Sequence, residues 1–302
     1  MRWDRFITLT LVRPLQRLTR NGRPDAAPAA VPILMYHALS DDPELGVAPY
    51  YQVHTRPAVF REHLQFLADH GYQSLTLDQA LAHLSAGAPS AGPRPVVLTF
   101  DDGFRDFYTE AFPALQQHGF TATMFLPTAS IGNTRKRFLD RECLTWAEVR
   151  ELAQAGLQFG SHTVNHPKLV ERSWPEIHAE LAQSKTEIEQ QLGRPVTDFC
   201  YPYAFPQCHR LFVARFRDLV RETGYARCVT TQLGRVRAGD DPYQLKRLPV
   251  NSRDDIPLLQ AKLEGGYDWL AHPQAVVKRV KAFRAHRSTP AGASAAPTPP
   301  NP

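Results

Sequence analysis

The chain has 302 residues, of which 43% are hydrophobic and 22% charged, with a formal net charge of +5; this is the composition of a globular protein and excludes a disordered, collagenous or membrane-embedded one. The excess positive charge gathers near the two ends, which favours a basic terminal surface over a nucleic-acid groove, and no nucleic-acid motif is present. Cys143, Cys200, Cys208 and Cys228 form no Cys-x-x-Cys pair and are too few and too scattered for a disulfide framework.

Residues 1–23 carry six arginines and one acid, and Trp3, Ile7, Leu11, Leu15 and Leu18 recur at helical spacing with Phe6 beside them. Two readings stand: a basic amphipathic helix for a membrane surface, or a frayed basic tail. Pro14 is expected to kink the segment or end its first half. Its apolar run, residues 6–12, is short for the core of a signal peptide. A bilayer span needs about 20 apolar residues. A cytoplasmic or membrane-peripheral place is therefore favoured, with export left open. Residues 21–30, rich in Pro and Ala, read as a linker, and residues 288–302 as a Pro/Ala-rich disordered tail that follows a basic run over 278–287. The expected division is a basic segment with linker over 1–30, one domain over 31–270 and a tail over 271–302.

Inside that domain, strand-like and helix-like stretches alternate. Residues 31–37 read as an apolar strand closed by His37, and 56–70 as a helix stopped by Gly71. A brief strand over 74–77 precedes a helix over 78–84. The run Val96 to Phe100 reads as a strand buried on both faces and ends in Asp101, Asp102 and Gly103. A helix over 104–118 and a strand over 121–126 follow. Thr145 and Glu148 form a capping box for a helix over 146–155. A short strand leads into Gly160-Ser161-His162, and Ser173 caps a long helix over 174–192, whose charges read as a solvated face. A helix over 211–222, strands over 225–230 and 245–250, and a closing helix over 254–263 complete the pattern. This alternation, with acids and histidines at strand ends, supports an α/β barrel in one domain.

Two stretches carry chemistry. Adjacent carboxylates repel, so Asp101 and Asp102 ionise together only beside something positive. A metal ion bound by one of them, the other remaining free as a base, is one reading; a solvated turn after a strand is the other. Some sixty residues on, Gly160-Ser161-His162-Thr163-Val164-Asn165-His166-Pro167 places two histidines four apart, on one face of a helical turn and close enough to share an ion. With twelve histidines in the chain, an isolated pair could be accidental; a pair together with an Asp-Asp strand end is hard to ascribe to chance. One Asp and two His leave an open coordination position, the catalytic rather than the structural pattern for zinc.

Thr99-Phe100-Asp101-Asp102-Gly103 followed by Ser161-His162-Thr163-x-x-His166 resembles the polysaccharide deacetylases, the nodulation-protein-B-like domain of carbohydrate esterase family 4, over residues 31–265. The resemblance implies a distorted (β/α) barrel and metal-dependent removal of acetyl groups from N-acetylated sugars. It makes Asp101 the base, and Asp102, His162 and His166 the ligands of a divalent metal, Zn2+ first, with Co2+, Ni2+ or Fe2+ open. Met35-Tyr36-His37 resembles the opening of the exopolysaccharide-modifying branch, where the strand order is permuted. That implies His37 as the general acid, a role imidazole suits; a packed core histidine is the other reading.

The third motif matches in part: Cys200 stands where the family pattern has an arginine, and Ala204 where it has glycine. Arg247, in a late strand, is the expected replacement charge, against a surface salt bridge. The resemblance gives Tyr203 the oxyanion-binding N–H and sets Pro202 and Tyr203 along the groove, with Phe205 and Tyr203 as aromatic platforms for sugar faces. No clean Leu-x-x-His motif stands near the C-terminus, where most of the family keeps its acid. The implied activity is hydrolysis of linear amide C–N bonds in an N-acetylhexosamine polymer. A deacetylase-fold carbohydrate-binding protein and an amidohydrolase acting on a small non-sugar amide remain as alternatives. The expected partner is an N-acetylated glycan, with no nucleic acid and possible lipid contact through the basic segment; the sequence leaves the oligomeric state open.

Overall fold

A computed structural model describes residues 2–20, 30–87, 92–271 and 273–276. Most of the expected linker, and the tail beyond residue 276, lie outside the described residues.

Seven short strands form the centre: β1 (Ile33–Tyr36), β2 (Arg94–Phe100), β3 (Thr123–Leu126), β4 (Gln158–Ser161), β5 (Asp198–Cys200), β6 (Arg227–Leu233) and β7 (Leu245–Pro249). Each pairs in parallel with the next, and β7 returns to β1 with Leu248 opposite Leu34, so the sheet closes into a barrel. The closure is uneven. Tyr72–Ser74 pairs with the first half of β2, leaving β3 to pair only with Thr99 and Phe100. Period-two alternation sorts the side chains. Ile33, Val97, Phe125, Cys200, Val229 and Leu245 form one buried cluster, whereas Leu34, Val96, Leu98, Phe100 and Met124 pack into a larger one with the helices. Gly160 on β4 is required by space: a Cβ there would stand 2.5 Å from the Phe125 ring and 2.7 Å from the Asp198 carbonyl.

The helices stand close to their expected places. Both Thr145 with Glu148 and Ser173 with Glu176 form complete capping boxes, and Gly193 closes the long helix in the left-handed conformation. Two boundaries move. The helix expected from 104 begins at Phe107, because Asp102 and Gly103 are left-handed and Phe104 bridges to Cys143. The strand expected over 74–77 is Tyr72–Ser74, because Thr76 caps the helix Leu77–Ser85 with Gln79 completing the box. The first helix runs Trp3–Ile7, Thr8–Val12 and Arg13–Arg20. Pro14 does not end it; the wide π-type turn at Thr8–Val12 keeps the chain helical through the missing N–H. Among the described residues no helix is long and apolar enough to cross a membrane, and all four cysteines are free thiols.

Candidate metal and catalytic site

The site forms at the C-terminal end of the barrel strands, the end on which α/β barrels assemble their chemistry. The N–H of Asp101 still donates to the Tyr36 carbonyl (3.1 Å), so the first acid remains in register with β1. Asp102 then takes φ 74° and Gly103 φ 65°, which turns the second carboxylate across the barrel mouth. Six non-glycine residues adopt positive φ among the described residues, and four of them, Asp102, Thr163, His166 and Tyr203, belong to this site. Such strain, unusual for the β-branched Thr163, gathers where geometry is over-determined by function.

His162 and His166 are not on a helical turn. His162 follows β4 in extended continuity, its N–H donating to the Leu126 carbonyl (2.9 Å), and a loop with left-handed Thr163 and His166 swings the second ring back. The spacing of four brings the rings together, but through backbone reversal rather than helical periodicity. Glu180 braces the loop: its carboxylate accepts the N–H groups of Val164 (2.7 Å) and Asn165 (2.9 Å) and the Asn165 amide (2.8 Å). Glu180 belongs to the helix Trp174–Leu192, whose charges read from sequence as a solvated face, and no local spacing links it to the histidines.

Three side-chain atoms converge. Nε2 of His162 and Nε2 of His166 are 3.1 Å apart, and Asp102 Oδ1 lies 3.6 Å from the first and 3.5 Å from the second. Arms of about 2.0–2.1 Å around a tetrahedral ion hold their ligand atoms about 3.3–3.4 Å from one another, so the three edges fit one cation. Asp102 Oδ1 is buried and has no hydrogen-bond partner. Nδ1 of His162 donates to the Cys200 carbonyl (2.8 Å), which leaves the Nε2 lone pair facing inward, the tautomer a metal ligand requires.

Beside this triad lies the other acid. Arg247 enters the barrel interior from β7 with no exposure. Its Nη1 donates to Asp101 Oδ1 (2.7 Å) and its Nη2 to Oδ2 (2.8 Å), a two-armed fork. The same guanidinium donates to the Thr230 carbonyl (3.1 Å), to Thr99 Oγ1 (3.2 Å) and to Cys200 Sγ (3.1 Å). A compact thiol on β5 thus leaves room for an arginine from β7. His37 completes the cluster, with Nε2 3.7 Å from Asp101 Oδ2. Tyr203 is half-exposed, its ring 4.6 Å from that of His166. Pro202 is buried, so it shapes the loop rather than offering surface. Phe205, expected as a sugar platform, is 1% exposed and packs on Tyr201 at 5.0 Å, so it cannot stack on a ligand. A groove of ≈ 670 Å³ opens at His166 and Tyr203 and runs past Lys168, Arg172 and Glu176.

The electrostatics separate the two acids. Burial pushes the Asp101 carboxyl up, but Arg247, through its charge and its fork, with His162 and His37 nearby, more than offsets this and holds it well below the usual carboxylate range. Burial and the neighbouring Asp101 charge raise Asp102 to about 8, against the weaker pull of Arg247. Burial lowers His37 and His162 to about 4 and His166 to about 3. A consequence follows for the metal-free chain. The three histidines are neutral when folded and charged when unfolded below their ordinary value of 6.5, so their contribution rises with pH from about 4 to 6.5. Asp102 has the opposite sign: protonated when folded and charged when unfolded, it gives up stability as pH climbs from 3.8 to about 8. Of these four groups only Asp102 still differs above 6.5, so its contribution should fall by up to about 1.4 kcal/mol per pH unit between about pH 6.5 and 8. A bound cation would remove that fall. Thermal melts with and without chelator measure it, and a flat metal-free profile would contradict the assignment of Asp102.

Comparison with known proteins agrees with this geometry. The polysaccharide deacetylase family model matches residues 88–227. YxkH of Bacillus subtilis is 31% identical over 228 residues, which span 74% of this chain and 72% of that protein. The chain belongs to the polysaccharide deacetylase family. The poly-β-1,6-N-acetyl-D-glucosamine N-deacetylase of Escherichia coli K12 is 36% identical over 120 residues, 36% of this deacetylase and 18% of that longer protein. Among solved structures, the Streptococcus pyogenes deacetylase PplD in complex with acetate superposes with a TM-score of 0.66 at 27% identity, covering 78% of this chain and 99% of that one. The closed parallel barrel with its surrounding helices is the distorted (β/α) barrel of these enzymes.

Proposed function

We propose that this deacetylase hydrolyses the acetamide of N-acetylhexosamine units in a polysaccharide, releasing acetate and leaving a free amine on the sugar. One observation carries the reading: the inward-facing atoms of Asp102, His162 and His166 meet within 3.6 Å of one another, beside a second acid whose charge a buried arginine secures. The E. coli relative's named substrate and the acetate in the PplD structure support the substrate class.

Asp102, His162 and His166 would hold the cation, taken as Zn2+ from the donor set of two imidazoles and one carboxylate; Co2+, Ni2+ and Fe2+ accept the same donors. The ion supplies a Lewis acid for the acetamide carbonyl. Asp101 takes the proton of the attacking water, and the two-armed contact from Arg247 fixes its orientation. The backbone N–H of Tyr203 is assigned to the developing oxyanion, where one such donor contributes roughly 3 kcal/mol. Burial keeps His37 neutral at rest, so it brings no proton of its own. Its Nε2 stands 3.7 Å from Asp101 Oδ2, longer than a hydrogen bond, so the two must close on each other before His37 accepts the proton and passes it to the amide nitrogen as the C–N bond breaks. The exposed face of Tyr203 is the platform for a sugar ring.

The test is acetate release from N-acetylglucosamine oligomers and from a β-1,6-linked polymer, by protein stripped with chelator and then reloaded with each metal. Release that requires added metal is expected. A folded, metal-loaded protein that binds these glycans without releasing acetate would replace this reading with that of a binding protein.

A further inference from the structure

The first helix is docked with its polar side inward. Asp4 and Thr8 are buried, while Trp3 (63%), Phe6 (45%), Leu11 (55%), Leu15 (62%) and Leu18 (71%) are exposed. Water-soluble helices ordinarily do the reverse. The docking is made of polar contacts to the chain's other end. Arg2 donates to Asp254 (3.0 Å), Tyr267 Oη to Asp4 (2.5 Å), Trp269 Nε1 to Thr8 (3.0 Å) and Gln16 to the Gly265 carbonyl (3.2 Å). Arg5 pairs with Asp255 and Arg13 with Glu264. The helix is thus locked in one rotational setting, and that setting turns five large apolar side chains to the outside along about 22 Å of axis.

Trp3, Phe6, Thr10, Leu11, Pro14, Leu15 and Leu18 mark the outer face, and none of them is charged. A patch of this kind marks an interaction surface. Charge selects its occupant. Of the six arginines in residues 1–23, Arg2, Arg5 and Arg13 are paired with acids of the fold and the one acid, Asp4, is paired with Arg2, so the sequence leaves the three arginines at 17, 20 and 23 against no acid; that surplus positive charge beside the apolar stripe matches an anionic lipid surface.

We propose that this face seats the protein on an anionic bilayer surface, with the apolar stripe at the headgroup boundary. Hydrogen bonds connect the seat to the loop after His37. Asp254, which receives Arg2, also accepts the N–H of Asn251 (2.8 Å). The Asn251 amide in turn holds the carbonyls of Pro49 (3.1 Å) and Gln52 (2.7 Å) in the loop after His37. The docked helix and the loop after His37 thus share Asp254 and Asn251 as anchors.

The experiment is co-sedimentation of the full chain with vesicles of phosphatidylcholine alone and of phosphatidylcholine mixed equally with phosphatidylglycerol. It compares wild type with Leu11→Glu/Leu15→Glu, whose substituted positions are both exposed. Wild type is expected to pellet with the anionic vesicles, and the variant's partition coefficient to fall about tenfold or more. Equal melting temperatures and equal acetate release from soluble oligomers would show that the variant is folded. Absence of binding by wild type, or binding that the variant retains, overturns the proposal. So does a wild-type dimer in light scattering that the variant dissociates, which would give the face to a second copy. Co-sedimentation, melting and light scattering need no catalysis, so failure here is separate from failure of the deacetylation reading.

Discussion

Asp101→Asn is expected to lower kcat for acetate release about 10³-fold, within the range a general base contributes, with metal content and KM little changed. Asparagine keeps the shape of the side chain and one oxygen for the Arg247 fork, but it cannot take a proton. The three converging atoms belong to Asp102, His162 and His166, so the variant should bind metal with wild-type stoichiometry. That combination separates a lost base from a lost cation: Asp102→Asn should lower metal content and activity together. The Asp101→Asn protein leaves Arg247 less well paired, so the rate is to be read where circular dichroism shows it folded. Metal analysis beside single-turnover acetate release decides the matter, and a loss under tenfold would remove Asp101 from the role of base.

How much of this was legible in the sequence depended on how local each cause is. The Asp-Asp end of β2 is a strand property, visible as an apolar run that stops at two acids. Arg247 was legible as the charge that replaces the arginine missing at Cys200; its burial is explained by the alternation in Leu245-Lys246-Arg247-Leu248, which turns Arg247 into the barrel. The histidine pair was legible as a pair but not as a loop. Positive φ at Thr163 and His166 is sustained by Glu180, a helix residue that no spacing rule connects to them. The exposure expected for Phe205 failed because an aromatic in a loop goes wherever it finds a partner, and Tyr201 supplies one. The first helix shows the same limit at larger scale. Its apolar spacing is plain in the sequence, but which face docks depends on Asp254, Tyr267 and Trp269, some two hundred and fifty residues away. Patterns fix what an element is; distant polar partners decide how it is turned.

Arg247→Met is expected to destabilise the fold by about 3–5 kcal/mol near neutral pH, the usual cost of stranding one partner of a buried ion pair. Methionine approximates the stem of the arginine, so the loss is electrostatic more than steric. In the wild type, Asp101 sits below its unfolded value of 3.8, and its contribution is present above that value and lost as pH falls through the folded pKa. Without the guanidinium, burial is opposed only weakly and the folded pKa moves above 3.8. The sign then reverses, and the variant gives up stability as pH rises. The gap between the two proteins should therefore narrow when unfolding is measured at about pH 5 rather than at neutral pH. Asp101→Asn/Arg247→Met removes both charges from the barrel interior and should recover much of the loss, because a neutral pair needs no mutual compensation. Urea unfolding of the four metal-stripped proteins gives the cycle. Strong coupling would identify the pair as one electrostatic unit that holds the base charged in the interior; additive losses would reduce Arg247 to a packing residue and would leave the low basicity of Asp101 without a cause.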